Sequence, residues 1–210
     1  QTPPGKEKTI TFKLLHPGLF VYHCGTPMVA EHIANGMFGM ILVEPAGGLP
    51  RVNEEFYVMQ SEIYTAGPFG KRGNQEFSVH KLLKETPDYF VFNGSVGALT
   101  QDHPLQAKVG DTVRIFFGDA GPNFASSFHV IGEQFEKAWP WGSLANKPIR
   151  DVQTILVPPG GAFMGQFKLR EPGKYILVDH ALSRMEQGLS GFLLVSGSPN
   201  PALYHSGGEK

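Results

Sequence analysis

The stretch from Phe20 to Pro45 constrains the fold of this chain more than any other part of the sequence. It consists of a short apolar run that ends at His23, a loop that begins with Cys24, and a second apolar run that ends before Pro45. Short apolar runs bounded by turn residues are typical of strands. We therefore predict two strands, with the only cysteine of the chain at the start of the loop between them.

The loop between these strands carries a thiol, an imidazole and a thioether. His32 follows Cys24 by eight positions, and Met37 follows His32 by five. A thiolate, two imidazoles and a weakly bound thioether form the ligand set of an electron-transfer copper site. We therefore predict a copper centre with Cys24, His32 and Met37 as three of its four ligands. Met28 and Met40 are alternatives to Met37, although Met40 falls within the second apolar run.

His23 stands directly before Cys24 in the first predicted strand. Neighbours in a strand point to opposite faces, so these two side chains cannot readily bind the same metal. His23 can instead bind a second metal across the strand, with one peptide unit between the two ligands. The alternative is a histidine with a purely structural role.

Short strands separated by turns continue through the rest of the chain, in which Gly and Pro supply 26 and 17 of 210 residues. Strands that recur about every 8–12 residues predict an all-β fold built on an antiparallel sandwich. The predicted strands are 9–15, 19–23, 36–43, 55–60, 89–93, 104–109, 111–117, 126–131, 153–157, 162–169, 174–178 and 191–195. Short helical segments are predicted at 77–84 and 185–188.

These strands divide the chain into two units. Residues 1–45 hold about three strands, whereas a β-sandwich normally has about seven in roughly 100 residues. We therefore expect this unit to be the C-terminal part of a sandwich, and the chain to be a piece of a longer one. A linker is predicted at 46–50, a complete second sandwich at 51–196 and a tail at 197–210.

Composition argues against several kinds of partner. The chain has 18 basic and 19 acidic residues, so a surface for nucleic acid or anionic membrane is not expected. No apolar run reaches the roughly 18 residues of a membrane span. A single cysteine cannot form an internal disulfide.

The second unit has no cysteine, so it cannot build a thiolate-copper site. His129 and His180 lie in or directly after apolar strands, where a lone histidine is most often structural, but they could join a site shared with another chain. Asp179 and Glu186 are nearby candidates for the acceptor that fixes the tautomer of a metal-binding imidazole. The remaining histidines lie beside turns or polar residues and are expected to be solvated: His16, His80, His103 and His205.

Four segments resemble the copper-containing nitrite reductases, especially the subgroup with a short Cys-to-His loop. They are the stretch 20–45 and the motifs NGSVGALT, GPNFASSFHVIGE and KYILVDHAL, at 93–100, 121–133 and 174–182. The segments occur in order, and the resemblance extends from about residue 9 to residue 196. It implies two cupredoxin-like Greek-key β-sandwiches, of which the first is incomplete in this chain.

The resemblance implies an NO-forming nitrite reductase with two coppers per subunit. The ligands would be Cys24, His32 and Met37 at a blue copper, and His23 and His180 at a catalytic copper. His180 would bind the catalytic copper of a neighbouring subunit in a homotrimer. His129 would lie beside the nitrite and supply a proton, and Ile131 would crowd the substrate.

The resemblance also implies a periplasmic or cell-envelope enzyme of denitrification that receives electrons from a cupredoxin or cytochrome c. In the family, an earlier segment supplies one blue-copper His, one catalytic-copper His and an active-site Asp, and none of these 210 residues matches it. That segment was cleaved and stays associated, is disordered, or exists as another chain.

Three other interpretations remain open. A multicopper oxidase needs a histidine on each side of the cysteine, but Gly25 follows Cys24. In a cupredoxin electron carrier with a second, metal-free domain, His23 and His180 would be structural and the chain would bind one copper. An inactive fragment would fold only together with its other half.

Overall fold

Short strands make up most of the regular structure, as the β-branched and alternating runs predict. The computed structural model describes residues 2–204, so the prediction for His205 lies outside the described residues. The strands are β1 Gly18–His23, β2 Phe38–Val43, β3 Glu54–Ile63, β4 Tyr89–Phe92, β5 Leu105–Lys108, β6 Thr112–Gly121, β7 Ser126–Ile131, β8 Lys137–Trp139, β9 Ile155–Val157, β10 Ala162–Lys168, β11 Gly173–Asp179 and β12 Gly191–Ser196. The short helices are α1 Val29–Ala34 and α2 Val79–Leu83, and further short helical segments lie at 98–102, 140–142 and 182–187. The all-β prediction is confirmed.

Strands β3 to β12 form two five-stranded sheets that enclose one core. The first sheet has the order β4-β3-β6-β10-β8, and the second has the order β5-β12-β11-β7-β9. Phenylalanines from both sheets meet in the core, where the rings of Phe92 in the first sheet and Phe128 in the second pack edge to face with their centroids 6.0 Å apart. This part of the chain is therefore a β-sandwich, as predicted.

Strands β1 and β2 pair antiparallel as a separate hairpin, with α1 in the connection between them. Val21 and Met40 of the hairpin pack against Met59 and Ala120 of the first sheet, and Ile33 of α1 joins the same cluster. Full burial of an aliphatic side chain stabilises a fold by roughly 1.5–3 kcal/mol. The hairpin is thus held on the outer face of the first sheet, opposite the aromatic core.

Two glycines allow the hairpin to approach this closely. A Cβ atom on Gly142 would lie 2.1 Å from the carbonyl oxygen of Leu19 in β1. A Cβ atom on Gly118 would lie 2.6 Å from the Sδ atom of Met40 in β2. A side chain at Gly142 would collide with the backbone of β1, and one at Gly118 would require the Met40 and Met59 side chains to move.

The other face of the hairpin is apolar and only partly covered. Because side chains alternate along a strand, Phe20 and Tyr22 point away from the first sheet, and they are 45% and 53% exposed. Residues 13–16, with Phe20, Ile41 and Val43, line an open cleft of about 360 Å³ over this face. The hairpin therefore presents a second packing surface.

The predicted strand at 9–15 is wrong. These residues form no strand, and Ile10 and Leu15 are 70% and 71% exposed. A strand needs a hydrogen-bonded neighbour, and within the described residues β1 pairs with β2 alone. The structure also contains α1 and β8, which the sequence pattern did not predict, and β6 continues to Gly121, past its predicted end.

Candidate metal centre

The loop after β1 brings two predicted ligands into contact. The backbone N–H of Cys24 donates to the carbonyl oxygen of Met37 at 3.0 Å, and the N–H of Met37 donates to the carbonyl of His32 at 3.0 Å. His32 Nδ1 lies 3.3 Å from Met37 Sδ. The loop is therefore closed by its own backbone, with an imidazole and a thioether side by side next to the cysteine.

The environment of Cys24 favours a ligand rather than an inert thiol. The thiol is partly exposed, and hydrogen bonds from the hydroxyl and backbone N–H of Thr26 lower its pKa. A thiolate, an imidazole and a thioether form a soft donor set, which suits copper. The three residues present therefore fit the predicted metal.

His23 is exposed at the end of β1, and a backbone carbonyl determines its tautomer. Its Nδ1 atom lies 2.9 Å from the carbonyl oxygen of Cys24. A carbonyl can only accept a hydrogen bond, so Nδ1 carries the proton and Nε2 keeps a free lone pair. His23 is thus prepared to bind a metal through Nε2.

His129 and His180 lie side by side on the second sheet. His129 in β7 pairs with Val178 in β11, and His180 follows the end of β11 directly. The two ring centroids are 5.6 Å apart. His129 is 6% exposed, and burial together with the charge of His180 lowers its pKa. The register of two neighbouring strands therefore creates a histidine pair that sequence spacing does not reveal.

A backbone carbonyl also orients the ring of His129. Its Nδ1 atom donates to the carbonyl of Gln153 at 2.8 Å, which leaves Nε2 free. Ile131 lies two residues further along β7, on the same face, and is 42% exposed. Next to His129 an open cleft of about 550 Å³ is lined by Gln153, Glu133 and Arg170, among others.

The predicted site residues form two groups within one chain. His23, Cys24, His32 and Met37 belong to the hairpin on the first sheet, whereas His129, Ile131 and His180 belong to the second sheet. None of the hydrogen bonds or ring contacts of residues 2–204 joins the two groups, and no cluster of three or more His, Cys, Asp and Glu side chains there could hold a metal. Each group therefore offers only part of a ligand set.

The sequence suggested Asp179 as an acceptor for the imidazole of His180. In the structure its carboxylate makes other hydrogen bonds instead. It is 1% exposed, and its carboxylate accepts hydrogen bonds from the backbone N–H groups of Ser127 and Ala181, from the side chain of Gln60 and from Arg184. Arg184 was not predicted as part of the site. Its separation of five residues from Asp179 is too common a pattern to reveal the pair.

His16, His80 and His103 are exposed, as predicted. No helix in the described part of the chain is long and apolar enough to cross a membrane.

The chain is similar to copper proteins along most of its length. A family model described as multicopper oxidase matches residues 72–198. The copper-containing nitrite reductase of Neisseria meningitidis serogroup A is 49% identical over 204 residues, which are 96% of this chain and 52% of that protein. The chain thus spans about half the length of the curated relatives it matches.

Solved structures share the fold. The copper nitrite reductase of Nitrosomonas europaea superposes with a TM-score of 0.74 at 31% identity, over 89% of this chain and 65% of that one. A multicopper oxidase superposes with a TM-score of 0.72 at 25% identity, over 88% of this chain and 59% of that one. Copper proteins of both kinds therefore share this arrangement of strands.

Proposed function

Because this chain belongs to the multicopper oxidase family and is similar to nitrite reductases over nearly its whole length, we propose that it is part of a copper-containing nitrite reductase. The reaction is the one-electron reduction NO₂⁻ + 2H⁺ + e⁻ → NO + H₂O. The observation that carries the proposal is the closed loop in which Cys24 lies next to the His32–Met37 contact, directly after His23.

Cys24, His32 and Met37 are the proposed ligands of a blue copper. A second imidazole completes such a ligand set. Copper bound at the two proposed sites supplies the redox change and the Lewis acidity that nitrite reduction needs. The peptide between Cys24 and His23 gives the shortest covalent connection between these sites.

His23 and His180 are the proposed ligands of the catalytic copper, with His180 serving the copper of a neighbouring subunit in a homotrimer. Their separation within one chain supports a shared site. His129 and Ile131 are proposed to contact nitrite. Because Nδ1 of His129 is bonded to Gln153, Nε2 is the atom that can exchange a proton with the substrate or its water. Ile131 limits the space in which nitrite can rotate.

Further strands of the first sandwich are proposed to cover the apolar face of Phe20, Tyr22, Ile41 and Val43. The segment that contains these strands, in this polypeptide or as another chain, would supply one imidazole to each copper and the active-site Asp. The exposure of Phe20 and Tyr22 supports this, because isolated soluble domains rarely expose a contiguous apolar face.

The proposed setting is dissimilatory nitrite reduction in denitrification, in the periplasm or at the cell envelope. The electron donor is proposed to be a small cupredoxin or cytochrome c. This setting follows the resemblance to the nitrite reductases.

The family description and the shared fold also favour a second candidate, a multicopper oxidase. Gly25 argues against it, because an oxidase of this kind needs a histidine after the cysteine. A cupredoxin electron carrier is the third candidate, and it differs from the reductase in its copper content.

The test is the copper content of the full-length protein, measured together with its visible spectrum. Two coppers per chain and one thiolate-to-copper charge-transfer band are expected, with nitrite-dependent release of NO. Cys24→Ala should remove the band and keep the second copper, whereas His180→Ala should do the reverse. One copper per chain would favour the carrier, and oxygen consumption without NO release would favour the oxidase.

A further inference from the structure

The turn that carries His180 is fixed to β7 through its backbone. The N–H of His180 donates to the carbonyl of Ser127 at 2.8 Å. The carboxylate of Asp179 accepts from the N–H groups of Ser127 and Ala181, each at 3.0 Å. These hydrogen bonds lie on both sides of His180 and tie it to the strand that holds His129.

Arg184 holds the carboxylate of Asp179 in place. Its Nη1 atom donates to Asp179 and, at 2.8 Å, to the carbonyl oxygen of Ala125. The guanidinium carbon lies 4.6 Å from the ring centroid of Phe90 and 5.2 Å from that of Phe124. A charged group with a carboxylate, a carbonyl and two aromatic faces around it has little freedom to move.

The same carboxylate reaches the first sheet. Gln60 in β3 donates to Asp179 at 3.3 Å and accepts from the hydroxyl of Ser126 in β7 at 2.7 Å. Asp179 is 1% exposed, so loss of Arg184 would leave a buried charge without its counter-ion. The turn would then relax away from β7, and its hydrogen bonds would be the first to open.

We propose that Asp179 and Arg184 are positioning residues for His180, because they set the place of its imidazole relative to β7 and His129. They act through the backbone on either side of His180 and touch neither substrate nor metal. This inference rests on the proposed role of His180 as a copper ligand. Residues that orient a ligand typically contribute about 10- to 100-fold to metal affinity.

Arg114 offers a matched control. It is 2% exposed and donates to the side chain of Glu55 and to the carbonyl of Pro50, so it also joins a carboxylate to a backbone oxygen. Arg114 lies in β6, the strand in which Asp119 pairs with Gln60. Arg114 and Asp119 are five residues apart, which is roughly 17 Å along the strand. Loss of either arginine should lower folding stability, but only Arg184 should affect His180.

The experiment compares Arg184→Met and Arg114→Met in the full-length protein. Arg184→Met should keep the charge-transfer band and bind the second copper about 10- to 100-fold more weakly, whereas Arg114→Met should keep both coppers. In the metal-free proteins, amide exchange at 179–181 should accelerate in Arg184→Met beyond any change in global stability. Equal effects of the two variants on copper binding and on exchange would overturn the proposal.

Two further outcomes are distinguishable. If Arg184→Met does not fold, Arg184→Lys decides, because it keeps the charge but loses the second contact of the guanidinium; unchanged copper affinity and exchange in that variant contradict the proposal. If the wild type binds one copper, the proposed function fails. Faster exchange at 179–181 in the metal-free variant would then still support the positioning of His180.

Discussion

At the scale of single residues, backbone carbonyls prepare two imidazoles for chemistry. Nδ1 of His23 is bonded to the carbonyl of Cys24, and Nδ1 of His129 to that of Gln153. In both rings the proton therefore lies on Nδ1, and Nε2 is free to bind a metal or to exchange a proton. These backbone hydrogen bonds determine the tautomer of both rings without a bound ligand.

Glu133, beside the cleft at His129, should make folding stability depend on pH. Burial raises its pKa from 4.5 to about 7, although Arg170 opposes the shift. The native state then binds more protons than the unfolded state between pH 4.5 and 7, so this residue's contribution to stability falls as pH rises through that window.

Glu133→Gln should remove this dependence. The variant should match the wild type near pH 4 and be more stable by about 1–2 kcal/mol at pH 8, a value that allows for the partial exposure of the side chain. Urea unfolding at several pH values measures the difference. A difference that does not change with pH would contradict the assigned cause.

At the scale of elements, the hairpin carries the candidate copper loop but depends on the first sheet for its position. Its inward side chains meet Met59 and Ala120, and α1 closes the same cluster through Ile33. The contact is close because Gly142, in the turn after β8, and Gly118, in β6, have no side chains next to β1 and β2. The positions of Cys24 and His23 therefore depend on packing against the first sheet, although that sheet contains none of the proposed ligands.

Gly142→Ala should loosen this docking. Gly142 has φ +65°, and the new Cβ would also collide with the Leu19 carbonyl. We expect a loss of about 3 kcal/mol or more, the sum of a left-handed backbone and overpacking. Gly160→Ala, at φ +75° with open space around it, is the control and should cost about 1–2 kcal/mol. Equal losses in urea unfolding would show that contact with β1 is unimportant.

At the scale of the whole molecule, the sandwich of β3 to β12 is closed and the hairpin is not. Phe20 and Tyr22 project from the hairpin, residues 13–16 line the cleft on its apolar side, and residues 2–16 form no strand. The unpaired segment ends beside the same cleft, where Lys13 is part of the lining. The strands proposed to cover this surface would bury it.

The rate of trypsin cleavage at Lys13 should show whether further strands cover the apolar face of the hairpin. In the 210-residue chain, Lys6, Lys8 and Lys13 lie in the exposed segment and should be cut early. In a longer protein that includes the proposed covering strands, Lys13 should be cut at least about tenfold more slowly, since 1.4 kcal/mol of added local stability reduces the open population that much. Lys71, in an exposed loop of the sandwich, is the internal control. Equal rates at Lys13 in both proteins would argue against covering strands.

Local pattern is enough to predict most of the strands and to select candidate ligands in the loop after β1. The run 126–131 was predicted with the bounds of β7, and Cys24, His32 and Met37 are candidate ligands chosen by residue type and spacing. These features depend on neighbours in sequence, which periodicity records. The strand predicted at 9–15 is wrong. Its residues alternate as in a strand, but they pair with no strand among the described residues.

Features that depend on contacts between distant segments appear only in the folded chain. Because β7 pairs with β11, the ring centroids of His129 and His180 lie 5.6 Å apart. The carboxylate of Asp179 accepts a hydrogen bond from Arg184 rather than from an imidazole. The fold also places the candidate copper loop and the histidine pair on different sheets. Register and the burial of charge arise from packing between segments far apart in the chain, and no local pattern encodes them.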